Sequence, residues 1–109
     1  MEELAREDVN VGYILLLNTL NAGIIAEHGS REMAADVILD VCGDRKISCL
    51  ALTEPSAGSD AANIRLKAER EGDVFVLNSE KTSISMAHQT DLGIVFARTG
   101  TQEKRAHGI

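Results

Sequence analysis

Residues able to do chemistry crowd into one short stretch, LTEPSAGSD, from Leu52 to Asp60. Ser59 is the obvious hydroxyl, but a nucleophile needs an activating base. The stretch lacks the strand–elbow–helix pattern G-x-S-x-G, and no histidine is placed by sequence to serve it. Glu54 and Asp60 offer carboxylates for acid–base work. The competing reading has Glu54 capping or pinning the turn, and sequence alone shows no raised pKa. The Gly58-Ser59 pair suits a different task. Glycine lets backbone come close to a ligand, and exposed N–H groups in such a turn suit anionic or carbonyl oxygens. A plain tight turn explains the same residues equally well. His28, His88 and His107 read as surface or loop histidines, and their spacing suggests no metal site. No catalytic residue is assigned.

These residues need elements to hold them. Residues 2–28 read as one long helix without proline, apolar on most faces, which predicts burial. Tyr13, Leu16, Leu17, Leu20 and Ile24 form a continuous stripe at helical spacing. Gly12 and Gly23 weaken the helix by about 1 kcal/mol each relative to alanine, leaving room for close packing or for something else. A second helix follows, with Ser30 as N-cap, Glu32 near the positive end of the dipole, and Gly43 as its stop. Met33, Val37, Ile38 and Val41 give its apolar face. Ile47 to Leu52 then reads as a buried strand. From Ile64 the pattern alternates every two residues, predicting a half-exposed strand. EGD turns the chain into VFVL, NSE turns it into KTSISM, and LGIVFART makes a last strand. Helices first and strands later predict an α+β fold: two N-terminal helices, then an antiparallel sheet or partial barrel. The division falls at residues 1–45 and 46–109. Both ends look cut, the first opening into an apolar helix, and RAHGI reading as entry to another strand.

Composition bounds the class. The 109 residues carry a formal net charge of −6, which argues against non-specific binding to nucleic acid or anionic membrane. The apolar run around YILLL is too short to span a bilayer, and no signal or transit peptide is evident. Cys42 and Cys49 match neither a zinc nor a C-x-x-C redox spacing, so they are expected reduced in a cytoplasmic protein.

The segment LALTEPSAGSDAANIRLKAEREGDVFVLNSEKTSIS, followed by DLGIVFART, resembles the acyl-CoA dehydrogenase family. The family carries an analogous TEPxAGSD segment, then NG-x-K and an I-T/S pair, and the match is strong over residues 50–99. The resemblance implies an FAD-dependent dehydrogenase acting on an acyl-CoA thioester, with electrons leaving to an electron-transferring flavoprotein, and a homo-oligomer. It implies that Leu52 and Thr53 contact the flavin ring, that Ser85 reaches flavin N5, and that Ile84 and Ser83 lie beside it. Ser59 would meet the CoA part of the substrate. Gly12, Tyr13, Leu16, Leu17 and Leu20 would face or flank the acyl pocket, and their bulk suggests a short, branched or cyclic acyl chain.

This sequence departs from the family pattern. Ser56 and Ser79 stand where glycine is usual, Ser83 where many members place Trp or Phe, and Met86 where asparagine is common. The resemblance also places the catalytic glutamate in a C-terminal helical domain with no counterpart here, so these residues alone are expected to be inactive. The rival reading is a non-catalytic α+β module that self-associates or binds a partner without FAD. Oxidase- or monooxygenase-like relatives remain open, since one fold hosts several chemistries.

Overall fold

A computed structural model describes residues 2–43 and 45–109. The N-terminal segment is two helices, α1 (Glu2–Glu7) and α2 (Val9–His28), where the sequence predicts one. Asp8 makes the break. Its backbone is extended at φ −148°, and its carboxylate accepts the Asn10 amide at 2.8 Å. Aspartate satisfies an orphan helix-end donor well, so this cap competes successfully with helix continuation. Gly12 lets α1 pack on α2, because a Cβ there would stand 3.0 Å from Ala5 Cβ. No such neighbour surrounds Gly23.

α2 is not buried on most faces. Gly12, Leu17, Asn18, Asn21, Ala22 and Ile25 make its inner side, while Tyr13, Leu16 and Leu20 are exposed. The buried positions from Leu17 onward recur at helical spacing and include two asparagines, which is why an apolar-stripe reading chose the wrong side. By length and composition α2 could cross a membrane, with 20 residues and a mean hydropathy of 1.5, so judging only the YILLL run understated it. Within this chain two of its asparagines bond to Ser48. Asn18 Oδ1 accepts the Ser48 amide at 3.0 Å and the Ser48 hydroxyl at 2.8 Å, and Asn21 Nδ2 donates to Ser48 Oγ at 2.9 Å.

α3 (Arg31–Cys42) begins and ends as the sequence predicts. Ser30 Oγ accepts the Met33 amide at 3.1 Å, and a Cβ at Gly43 would meet the Leu39 carbonyl at 2.8 Å. Of its apolar face Val41 is fully buried and Met33 is exposed.

The strands are β1 (Ser48–Ala51), β2 (Ala68–Glu71), β3 (Val74–Leu77) and β4 (Leu92–Val95), in two separate pairs, β1–β4 and β2–β3. The α+β class holds, and the sheet is not closed. β2 and β3 are antiparallel, with Glu71 opposite Val74. Only Gly72 of their two-residue turn has positive φ, at 64°, matching a turn that wants glycine first. β4 runs alongside β1 in the same direction, since Leu92 donates to Ile47 and Phe96 to Ala51.

Two compact units result. The first comprises residues 1–50 and 85–94, and the second residues 51–84 and 95–109. Leu17, Ala22, Ile25, Val41 and Cys49 form the apolar core of the first; Ala57, Ile64 and Leu66 form that of the second.

Three expected strands differ. Residues 64–67 are not a strand, although Ile64 and Leu66 are buried. KTSISM is bend and turn, interrupted by positive φ at Ser83 (53°) and Met86 (65°). RAHGI falls in the 3-10 segment Gln102–Gly108, kinked at Arg105.

Candidate functional site

In the second unit the loop after β1 is held by a buried carboxylate. Glu54 is 4% exposed. Its Oε2 accepts the Arg65 amide at 2.7 Å and its Oε1 the Leu66 amide at 2.9 Å. Lys81 Nζ lies 2.9 Å from the same Oε1 and donates also to the Leu52 carbonyl at 2.9 Å. Burial pushes the Glu54 carboxyl up, but the Arg65 amide, the Lys81 ammonium and the Leu66 amide outweigh it and hold the group below its ordinary value. An ionised carboxylate in this setting accepts hydrogen bonds, and Glu54 uses them to pin the turn.

This clasp fixes two proposed flavin contacts, Leu52 and Thr53, both half-buried. The Thr53 carbonyl accepts the Thr82 amide at 3.0 Å, and the Leu52 carbonyl is held by Lys81. Further along, Glu54 and Ala57 exchange amide and carbonyl bonds at 2.9 and 3.1 Å, closing the tight turn around Pro55 and Ser56. Gly58 has ordinary backbone, and a Cβ there would meet nothing within 4 Å. The described residues thus give no packing reason for glycine at that point. Ser59 is exposed beside it. Ser83 is exposed and Ile84 half-buried.

In the first unit, residues 72 apart in sequence meet: the Tyr13 hydroxyl donates to Ser85 Oγ at 3.4 Å. Both line a cavity of about 470 Å³ with Val9, Asn10, Ile14 and Met86. Tyr13 also borders a second recess of about 270 Å³ with Gly12 and Leu16, lined otherwise by residues of α1 and Val9. Leu17 lies in the core, 6% exposed, and Leu20 is exposed, bordering neither cavity. The structure therefore joins Tyr13 to Ser85 directly.

Sequence reasoning missed Lys81, the partner that makes Glu54 tolerable. The signal was present in the paired motifs, since a buried carboxylate needs a cation and Lys81 is the basic residue of the second motif. It also missed Arg98, 2% exposed. Its guanidinium donates to the carbonyls of Ile64, Ala62, Thr101 and Arg105 at 3.1, 2.8, 3.2 and 2.8 Å. Among the described residues no group of three or more metal-ligating side chains forms, and both cysteines are free thiols, Cys42 exposed and Cys49 buried.

Comparison with known proteins places these features. The family described as acyl-CoA dehydrogenase, middle domain, matches residues 49–109. Mitochondrial isobutyryl-CoA dehydrogenase of Dictyostelium discoideum is 34% identical over 109 residues, covering 100% of this chain and 26% of the relative. The crystal structure of glutaryl-CoA dehydrogenase from Mycobacterium smegmatis aligns with a TM-score of 0.85 at 33% identity, over 89% of this chain and 25% of that one. A glutaryl-CoA dehydrogenase from the same organism, solved in complex with FADH2, aligns at 0.69 and 32% identity, over 72% of this chain and 20% of that one. The chain spans about a quarter of the length of these relatives. With more than half its length in the family's middle domain and its motifs joined by a buried ion pair, the chain belongs to the acyl-CoA dehydrogenase family.

Proposed function

We propose that this chain supplies the flavin-facing edge and part of the thioester site of an FAD-dependent acyl-CoA dehydrogenase. On this reading residues 1–45 belong to its N-terminal helical domain and residues 46–109 to its central β-domain. FAD, when bound, would supply the hydride acceptor for α,β-dehydrogenation of an acyl-CoA. Leu52 and Thr53 would hold the ring through main chain and hydroxyl, and Ser83, Ile84 and Ser85 would lie along it. A hydroxyl donor at N5 favours charge as it builds on the reduced ring. Ser59 would meet the CoA portion, and Tyr13 and Leu16 the acyl end, where their bulk favours short, branched or cyclic chains. Leu17, in the core, and Leu20, outside both cavities, are left out of that pocket. Electrons would pass to an electron-transferring flavoprotein, from a homo-oligomer.

The observation that carries this reading is the Glu54–Lys81 ion pair, 2.9 Å apart with both side chains nearly buried. It ties the loop after β1 to the second motif and holds the Leu52 carbonyl in a fixed position. Within the second unit, Thr53 carries a hydroxyl on the pinned loop and Gly58 stands beside open space, features that suit a flavin edge. The test is a titration of FAD into the purified chain, read by flavin absorbance and fluorescence. Binding should weaken in Thr53→Val and Ser85→Ala while far-UV dichroism stays unchanged. Equal binding in both variants, or none in the parent, would defeat the flavin reading.

One observation favours a second reading, a self-associating module without FAD. All four residues of β3 are exposed, with Phe75 at 62% and Val74 at 59%, and β2–β3 is a lone two-stranded pair. Open apolar edges invite pairing. A dimer by light scattering that becomes monomeric in Phe75→Lys, in a colourless chain that takes up no FAD, would favour it.

A further inference from the structure

Tyr13 and Ser85 form a pair that nothing in the packing of the first unit demands. Tyr13 is 43% exposed and Ser85 is exposed, so their hydroxyls are not forced together by burial. The phenol is the more acidic hydroxyl, and it is the donor in the contact at 3.4 Å. A serine hydroxyl that accepts one proton keeps its own proton for a third group. That third group has a place, since both residues line the same cavity of about 470 Å³. The backbone points the same way. Positive φ at Ser83 and Met86 brackets Ile84 and Ser85, and such conformations cluster where a side chain must be aimed.

We infer that Tyr13 is a positioning residue: its hydroxyl orients Ser85 as a donor into the cavity, and hence toward flavin N5. This rests on the function proposed above. Donation into Ser85 Oγ polarises the serine and strengthens its outgoing bond, as linked hydrogen bonds do. The length of the pair fits a contact that tightens when a ligand takes the serine proton. The effect falls on the electronics of the bound ring.

Tyr13 is the chain's one tyrosine, and tryptophan is absent. Intrinsic emission therefore reports on this phenol alone, with or without cofactor. Emission of the parent chain is compared first with Ser85→Ala and Ser85→Thr. The intensity should shift in alanine and return in threonine, which restores the acceptor. No shift in alanine overturns the pair and the inference, whatever FAD does. The second arm adds FAD to the parent and to Tyr13→Phe, which removes only the hydroxyl. The parent should show quenched tyrosine emission. Tyr13→Phe should bind FAD but show an altered flavin spectrum and a reduction potential shifted to more negative values. A shifted alanine variant with no FAD binding by the parent overturns the function proposed above, and the inference with it. FAD binding with identical spectrum and potential in Tyr13→Phe overturns the inference alone.

Discussion

The two units solve the same problem, a buried polar group, in opposite ways. The second uses charge: Glu54 and Lys81, 3% and 9% exposed, with two amides sharing the carboxylate. The first uses neutral groups: Asn18, Asn21 and Ser48, all 5% exposed or less. Both carboxylate oxygens of the charged pair are bonded. The neutral cluster leaves Asn21 Oδ1 without a partner among the described residues, a cost of about 1–3 kcal/mol that a carboxylate there would multiply. Ionic pinning thus occurs at the loop carrying Leu52 and Thr53, and neutral pinning where α2 docks on Ser48.

The sharpest way to break this contrast is Lys81→Met. It strands a buried carboxylate and should cost about 3–5 kcal/mol in urea unfolding. A loss below about 1 kcal/mol would mean that Glu54 is already relieved by water or by its amides. Acid should find the same weak point. The folded Glu54 carboxyl is held below its ordinary value of 4.5, so the unfolded chain binds protons first as pH falls. The clasp's contribution is therefore complete above about 4.5, and it is lost as pH falls through the lower folded value. Melting temperature against pH should decline across that window. The decline should flatten in Lys81→Met, which has already lost much of the clasp.

Ser48→Ala tests the neutral side. It removes an acceptor for Asn21 and a donor for Asn18, and should cost about 1–3 kcal/mol by urea unfolding, with no new pH dependence. A pH-dependent loss would erase the distinction between the units. Met86→Asn should act in the opposite direction. Met86 sits at φ 65°, a conformation asparagine accepts more readily, and a gain of about 1 kcal/mol in the same assay is expected. The smallest effect belongs to Asp40→Asn. Hydrogen bonds from Lys46 and Arg45 hold the Asp40 carboxyl below its ordinary range. The ion pairs lie in solvent, so the melting temperature should barely move and salt should mask what remains.

Much of the fold was legible locally. Ser30 and Gly43 bound α3, the EGD turn pairs β2 with β3, and the apolar run after Ile47 makes β1. The failures share a cause. Residues 64–67 alternate like a strand, but Glu54 takes the Arg65 and Leu66 amides that a ladder would need. KTSISM loses its strand to the left-handed Ser83, while the Thr82 amide goes to Thr53. RAHGI becomes 3-10 because Arg98 gathers the carbonyls of Thr101 and Arg105. In each case a backbone group was claimed by a partner that the two-residue pattern does not encode.

The candidate site divides along the same line. The ordered motifs, running from TEP through N-x-x-K to I-S, were enough by themselves to fix the family, because residue type and spacing are properties of the chain. Ser30 and Gly43 at the ends of α3 and the Gly72 turn were legible as well, since they depend on neighbours a few residues away. Only the tertiary structure decided that Glu54 is a clasp between Lys81 and two amides, that Leu17 lies in the core while Tyr13 does not, and that Tyr13 meets Ser85. Burial and hydrogen-bond pairing are set by which distant segments share space, and one-dimensional spacing carries no term for that.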